Sequence, residues 1–530
     1  MKINDIRNKF WYYSKELPDI HSKEVLDIPQ YLSLSILLIF FSIFIFKNYA
    51  IGISDHNEQI PIIFRVSDSS YLVNDWFVNQ TEGFSPRFFF SQFINFFTKF
   101  LSIEIVYFLL FIFFLGITIL SIYLISYILI ENNLVSLLVS LAILFGPRIS
   151  LGANWITSNI LVPSTISIAL ILFAYYIYFL NKKILSFFIL GIATLFQAIL
   201  GLLTTGILIV YFLINDKNKK AETIDAIKYL LVYSIFGLIG LAPLFLVSSN
   251  ISNPDIFYIL TYMRHPHHYC PFSFPLKDYL MFFGMLSLFV LAIYLKYIPK
   301  NPDLHNFCII SVLLILFLGI IGTIFVEIIP LTIIGKLQLF RINPLIALFT
   351  YPYIFYMFLG YISKIFPYLK NMQIHKFKYL IIIFAILFSF LIVVQTDIKL
   401  KKTENDDLYK WIRENTQENA IFIIPPTMED FRLRANRAVI VDWKAFPFKD
   451  SAIIEWRDRI NDITNNKQNF KRYRGFNTYS QLNNDYLSLN NSYILYLKEK
   501  YNAEYLVMMK EKQLNFTEIF NNSQFKLYHI

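Results

Sequence analysis

The sequence predicts a polytopic α-helical membrane protein of about eleven spans with a small C-terminal α/β domain, and three observations carry that reading. Of 530 residues, 56% are hydrophobic and 18% aromatic, with mean hydropathy +0.51; one water-soluble core could not hide so much apolar surface. Apolar runs of membrane-crossing length recur from residue 31 to 396, and lysines gather in the short polar stretches between them. Past residue 397 the chain turns charged and asparagine-rich, with no further run of that kind.

A bilayer core of roughly 30 Å takes about 20 apolar helical residues. That ruler places spans near 31–50, 102–127, 133–147, 162–180, 227–248, 278–297, 306–330, 339–362 and 378–396. The run 184–215 would be on the order of 48 Å as one straight helix, longer than the hydrocarbon is thick. Lys182 and Lys183 precede it, and Lys217, Lys219, Lys220 and Lys228 follow. The positive-inside rule puts both flanks in the cytoplasm, so the run is expected to break near Gln197 to Gly201 into a hairpin. Lys296, Lys300, Lys364, Lys370, Lys376 and Lys378 also fall inside in this count. The expected order is a cytoplasmic segment 1–30, a transmembrane domain 31–396 whose first outer loop is 51–101, and an extracytoplasmic α/β domain 397–530. The first 30 residues are mixed-charge and lack a cleavable secretory signal.

The formal charge of +10 follows membrane orientation rather than a basic stripe with interleaved aromatics, so nucleic acid is not an expected partner. Cys270 and Cys308 give neither a disulfide framework nor a thiolate metal site.

On this topology three polar stretches share the outer side: the loop SDHNEQIP with Asp55 and Glu58, the stretch GPRISLGANW with Arg148, and the segment 249–277 with RHPHHY. KLQLFRINP, with Lys336 and Arg341, enters from the same side. A carboxylate pinned beside hydrocarbon is costly unless it pairs, binds a cation or reacts, which makes Asp55, with Glu58, a candidate catalytic residue. A solvated loop acid is the plainer reading. His265, His267 and His268 are suited to a divalent metal or, when protonated, to phosphate; Pro266 should keep them extended, His265 and His267 on one side and His268 on the other. Arg148 and Arg341 suit bidentate phosphate recognition or snorkelling to lipid headgroups. Glu327 is a second acid at a span boundary.

Phe84, Phe88, Phe93, Phe97 and Phe100 recur at helical spacing opposite Arg87, Ser91, Asn95 and Thr98, an expected amphipathic interfacial helix over 84–100. In the C-terminal part, DLYKWIRENT reads as a helix, AIFIIPP and RAVIVDW as strands, SAIIEWRDRI as a helix, YILYLKEKYNAEYLVMM as helix then strand, and FKLYHI as a closing strand. No phosphate-binding glycine loop accompanies them. Arg432, Arg434, Arg437, Asp442, Trp443 and Lys444 either present a charged rim to the membrane site or form an ordinary surface network.

Taken in order, the chain resembles the GT-C superfamily of integral-membrane glycosyltransferases. The shared features are Asp55 just after the first span, the interfacial helix 84–100, the many further spans and the C-terminal α/β domain. SDHNEQIP, NDWFVN, RHPHHY and TQENAIFIIPP with FRLRANRAVIVDWKAFPF look like a bacterial multipass family related to that superfamily. The superfamily commonly carries paired acids in the first loop; here Asp55 is followed by His56, with Glu58 three residues on. The resemblance implies a glycosyltransferase on the outer face of a bacterial cytoplasmic membrane. A polyprenyl-phosphate-linked sugar is the expected donor, because nucleotide sugars are not available outside, and the acceptor is a glycan or a protein. In that role Asp55 deprotonates the acceptor hydroxyl, and Arg341, with Arg148 or the histidines, stabilises the leaving phosphate. The alternatives are a flippase of lipid-linked saccharide, against which no internal repeat is evident, and a non-catalytic envelope scaffold of the same shape.

Overall fold

The computed structural model describes residues 25–215, 219–246, 254–365, 377–465 and 475–530. Residues 1–24 of the expected cytoplasmic segment lie outside the described residues, as do Lys217, Lys370, Lys376 and positions 249–253.

Leu-, Ile- and Phe-rich runs form helices because only internal hydrogen bonding satisfies the backbone in hydrocarbon. Among the described residues six helices are long and apolar enough to cross a membrane: Gln30–Asn48, Ile103–Ile130, Thr223–Leu246, Leu276–Tyr294, Pro302–Ile328 and Thr332–Ile365. The chain is a helical membrane protein. Five further apolar helices, Asn133–Phe145, Pro163–Phe179, Lys183–Phe196, Ala198–Ile214 and Lys378–Val394, have 10–17 residues. They occupy the remaining expected stretches, but length alone carries six crossings and not eleven.

The 184–215 run breaks at Gln197. Its halves fold back on each other, since the Lys183 ammonium at the start of the first lies 4.9 Å from the Phe212 ring near the end of the second. The segment entering the Leu345–Ile365 helix is irregular: a short helix Thr332–Lys336, a left-handed Gln338 and a 3-10 turn Leu339–Ile342 precede it. That irregularity turns Arg341 away from a lipid-facing helix surface and into the protein.

The C-terminal region builds one five-stranded sheet: β1 (Ile421–Ile423), β2 (Ala438–Val439), β3 (Tyr505–Met509), β4 (Thr517–Asn521) and β5 (Phe525–His529). The order is β2-β1-β3-β5-β4. β1 runs parallel to β2 and β3, and β3, β5 and β4 are antiparallel. Helices Asp406–Asn415, Asp450–Thr464, Tyr479–Leu487 and Asn491–Tyr501 accompany it. Each helix and strand expected here is present. β4 and the Tyr479–Leu487 helix are additions: β4 is mostly exposed, so it lacks the apolar alternation that marks a strand.

This region does not stand apart from the first loop. Trp443, Trp456, Leu497 and Met508 share one buried core with Ile62, Trp76, Phe77 and Val78 of the loop and with Ile259 and Met263. Continuous apolar packing of this kind holds the two parts in one arrangement.

Two local expectations change. The amphipathic helix runs Phe88–Thr98, and its buried face is Phe90, Ser91 and Ile94. The polar stripe faces protein, not water: Ser67 donates to Asn95 Oδ1 at 2.5 Å and Arg87 pairs with Glu58, while Phe96 and Phe100 are exposed. Pro266 starts a helical turn, Pro266–Tyr269, instead of an extended strand, because its fixed φ and missing N–H suit the first helical position. The histidines therefore do not alternate; the rings of His267 and His268 lie 4.1 Å apart.

Candidate functional site

Asp55 is placed by what its neighbours must do. Ile51 leaves the first span and forms a parallel bridge with Leu400, and Lys401 N–H donates to its carbonyl at 3.1 Å. Gly52 has φ +75°, and a Cβ there would meet Leu400 Cδ2 at 2.6 Å, so the close approach needs glycine. Arg434 donates to the Gly52 carbonyl at 3.2 Å. The His56–Ser67 helix begins one residue after Asp55, which puts the carboxylate at the positive end of that helix.

His56, the residue that departs from a paired-acid pattern, is a structural pin. It is fully buried, its Nδ1 accepts from Gly52 N–H at 3.1 Å and its Nε2 donates to the Leu161 carbonyl at 2.9 Å. Burial pushes it down to about 4, against the pull of the Leu161 carbonyl and Asp55. A neutral ring with one fixed tautomer sets the pitch of the helix that carries Glu58.

Lys444 Nζ donates to Asp55 Oδ1 at 2.6 Å. Burial alone would favour the protonated acid, but Lys444, with help from Arg87, holds the Asp55 carboxyl well below the usual carboxylate range. The carboxylate is 39% exposed, so this ion pair sits in a recess that water can enter.

The delivery of Lys444 is built in. Two residues earlier, Asp442 accepts from Arg432, and Arg432 Nε donates to Asp75 Oδ2 at 2.7 Å. All three side chains are at most 2% exposed. Asp75 also caps the Trp76–Thr81 helix through Val78 N–H and accepts from Val439 N–H at 3.1 Å. Buried carboxylates need this full complement of donors. Trp443 is wedged against Trp456 with ring centres 5.0 Å apart, and Arg264 Nη2 donates to the Lys444 carbonyl at 3.0 Å. The backbone on both sides of Lys444 is fixed, and its side chain reaches the loop acid.

Glu58, one helical turn on from Asp55, accepts from Arg87 Nη2 at 2.5 Å. Burial raises its carboxyl above the ordinary value, with Arg87 opposing. Arg87 also stands 5.3 Å over the Phe448 ring, and His265 packs edge-on against Phe446 at 5.0 Å. The segment 442–448 thus covers the site from the side of the sheet.

The three stretches expected to converge do so. His268 Nδ1 donates to the Gly152 carbonyl at 2.7 Å. Gly152 lies tight against Phe340, next to Arg341. Arg341 Nε donates to Gln338 Oε1 at 2.6 Å and lies within electrostatic reach of His268. Burial first, then the neighbouring cations, holds His265 well below its ordinary value, His267 at about 2 and His268 at about 4; these rings are neutral. Arg148 is exposed and stacks over Trp155 at 4.6 Å, away from the acids. Glu327 accepts from Phe272 N–H at 2.9 Å, a structural contact.

Sequence reasoning missed Arg87 and Arg264, and left Lys444 between two readings. Arg264 opens the very motif read for its histidines, Arg87 looked like one member of a solvated stripe, and Lys444 belongs to the rim whose surface-network reading does not hold for the buried Arg432 and Asp442. Asp55 and Glu58 are surrounded by four cations, Lys444, Arg87, Arg264 and Arg341, which leaves an excess of positive charge. A divalent cation at the acids would have to displace Lys444 and Arg87, which already pair with them. Among the described residues no group of three or more His, Cys, Asp or Glu is placed to hold a metal.

Fold and site together define a helical membrane protein whose C-terminal sheet region closes over a charged recess at the end of its first long helix. Residues 404–463 match the family model for a domain of unknown function, DUF6798, which covers a minor part of the chain. No curated protein matches. Among solved structures, the chain is similar to an Archaeoglobus fulgidus oligosaccharyltransferase tethered to an acceptor peptide containing the NVT sequon. The identity is 12% and the TM-score 0.42, with 90% of this chain and 69% of that chain covered; a likeness at that level carries no argument about this chain.

Proposed function

We propose that the protein is a GT-C-type glycosyltransferase that takes sugar from a polyprenyl-phosphate donor on the outer face of a bacterial cytoplasmic membrane, with about eleven spans, the N-terminus inside and the sheet region outside. The observation that carries this reading is the Asp55–Lys444 ion pair set among further cations at the end of the Gln30–Asn48 helix. A recess with excess positive charge suits an anionic headgroup whose tail lies in the bilayer. Neutral histidines leave that work to guanidinium and ammonium groups.

In the reaction, the incoming phosphate draws Lys444 away from Asp55. The acceptor hydroxyl oxygen attacks the anomeric carbon, the carbon–oxygen bond to phosphate breaks, and the hydroxyl proton passes to Asp55. Arg341, with Lys444, stabilises the phosphate as it leaves still attached to its lipid. Asp55 is a poor base while paired and a competent one once Lys444 turns to the phosphate, so base strength is coupled to donor binding.

The test is reconstitution in liposomes with a polyprenyl-phosphate sugar and a crude envelope-glycan acceptor. Free polyprenyl phosphate and labelled glycan are expected together. Donor that stays intact, with or without passage to the other leaflet, would sink the proposal.

A further inference from the structure

A cavity of about 310 Å³ lies in the first loop, lined by side chains that include Ile62, Arg65, Glu82, Ser85, Phe88 and Gln92. Ile62 is four residues after Glu58 on one helix, and so one turn along the same face. Ser85 is two residues before Arg87, the partner of Glu58. The cavity therefore starts one helical turn from Glu58 along that helix.

The lining states the chemistry of the occupant. Arg65 pairs with Glu82 and is further held by the Tyr71 carbonyl at 2.7 Å and Asn79 at 2.9 Å. The rim is therefore charge-neutral, and a charged ligand would have to break that pair. Ile62, Val66, Val78 and Phe88 give an apolar side; Ser85 and Gln92 can both donate and accept, while Thr81 and Ser91, whose O–H groups donate to the Val78 and Arg87 carbonyls, offer acceptor oxygens. Ser85 is 5% exposed, and its hydroxyl has no hydrogen-bond partner among the described residues, a cost that a bound polar group removes. One apolar face with a rim of mixed donors and acceptors is the complement of a neutral pyranose, which has C–H faces and an equatorial ring of hydroxyls. A peptide would call for backbone partners along an open strand edge, and this cavity is lined by helices and the short connection 82–87, with no strand. The volume is at the lower end of the roughly 300–1,000 Å³ of small-ligand sites, enough for one or two sugar units.

We infer that this cavity binds the terminal units of a neutral saccharide acceptor and presents one hydroxyl to the acids. Its role as the acceptor subsite rests on the proposed transferase reading; its chemistry as a saccharide site does not.

The protein in lipid nanodiscs is titrated with a panel of neutral mono- and disaccharides (glucose, N-acetylglucosamine, maltose, cellobiose, lactose, chitobiose) and with the peptide Ala-Ser-Ala, and binding is read by saturation-transfer NMR. Gln92 lines the mouth from an exposed position, so Gln92→Trp should fill it without disturbing the core. At least one saccharide should bind wild type and lose tenfold or more in affinity with Gln92→Trp. Thermal unfolding of Gln92→Trp at the wild-type temperature shows that the fold is intact. No binding by any sugar of the panel, binding of the peptide in their place, or sugar binding untouched by Gln92→Trp each overturns the inference. Sugar binding without donor cleavage in the liposome assay overturns the transferase reading and leaves the saccharide site standing.

Discussion

Lys444 and Asp55 are 389 positions apart in the chain and 2.6 Å apart in the fold. Asp55→Asn keeps the shape and an acceptor oxygen for Lys444 but removes the base. Folding and insertion should be unchanged while transfer falls by about 10²–10⁴-fold, the usual worth of a positioned general base. Full complementation of a deletion strain by Asp55→Asn would remove Asp55 from the chemistry.

Arg341→Lys keeps a positive charge and loses the planar two-pronged donor. Turnover in the liposome assay should drop at least tenfold, with lipid phosphate binding weakened much less. Equal losses in turnover and binding would make Arg341 a docking residue only.

The Asp75–Arg432–Asp442 cluster predicts a stability effect. Arg432→Met leaves two buried carboxylates without their cation, a loss of about 3–5 kcal/mol. Limited proteolysis in detergent should then release the sheet region at protease levels the wild type resists. An unchanged cleavage pattern would mean that the shared apolar core alone docks the region.

The histidines give a pH dependence with a definite sign. His56 and His268 are at about 4 when folded, against about 6.5 unfolded, so between those values the unfolded chain binds more protons. Stability should therefore be full above pH 6.5, fall as pH drops from 6.5 towards 4, and be flat below with respect to these two groups. The melting temperature in detergent followed across that window checks this, and His56→Gln should reduce the slope. A slope unaltered in His56→Gln would assign the dependence to other groups.

Sidedness is read by labelling. In a background of Cys270→Ala and Cys308→Ala, both native thiols being buried, cysteine at the exposed Gln417 should react with an impermeant maleimide in intact cells, and cysteine at the exposed Lys182 only after lysis. The reverse pattern would place the site in the cytoplasm, where nucleotide sugars are available.

Asp55 and Glu58 were legible because hydropathy sets where the first span ends, and an acid at that boundary is expensive wherever the rest of the chain goes. The convergence of Gly152, His268 and Phe340 was legible for the same reason: lysine placement sorts loops by side. Arg87 and Arg264 were not, and Lys444 only as one of two readings of its rim, since local periodicity says which face a residue takes and nothing about which distant segment covers that face. Arg87 shows the limit most plainly. Its helical stripe has the same spacing whether it meets water or Glu58.

The bridge between Ile51 and Leu400 has a meaning in time as well as space. At about 5–20 residues per second, the ribosome needs roughly 20–80 s after Asp55 to make Lys444. Until Leu400 is made the Gly52 turn lacks its clamp, and until Lys444 is made the loop carries a carboxylate without that counter-ion. The recess is then assembled last, when the final quarter of the polypeptide docks on a loop made at the start. A product terminated between Leu400 and Trp443 would have its apolar helices made and yet lack Lys444, so the charged recess would stay unfinished.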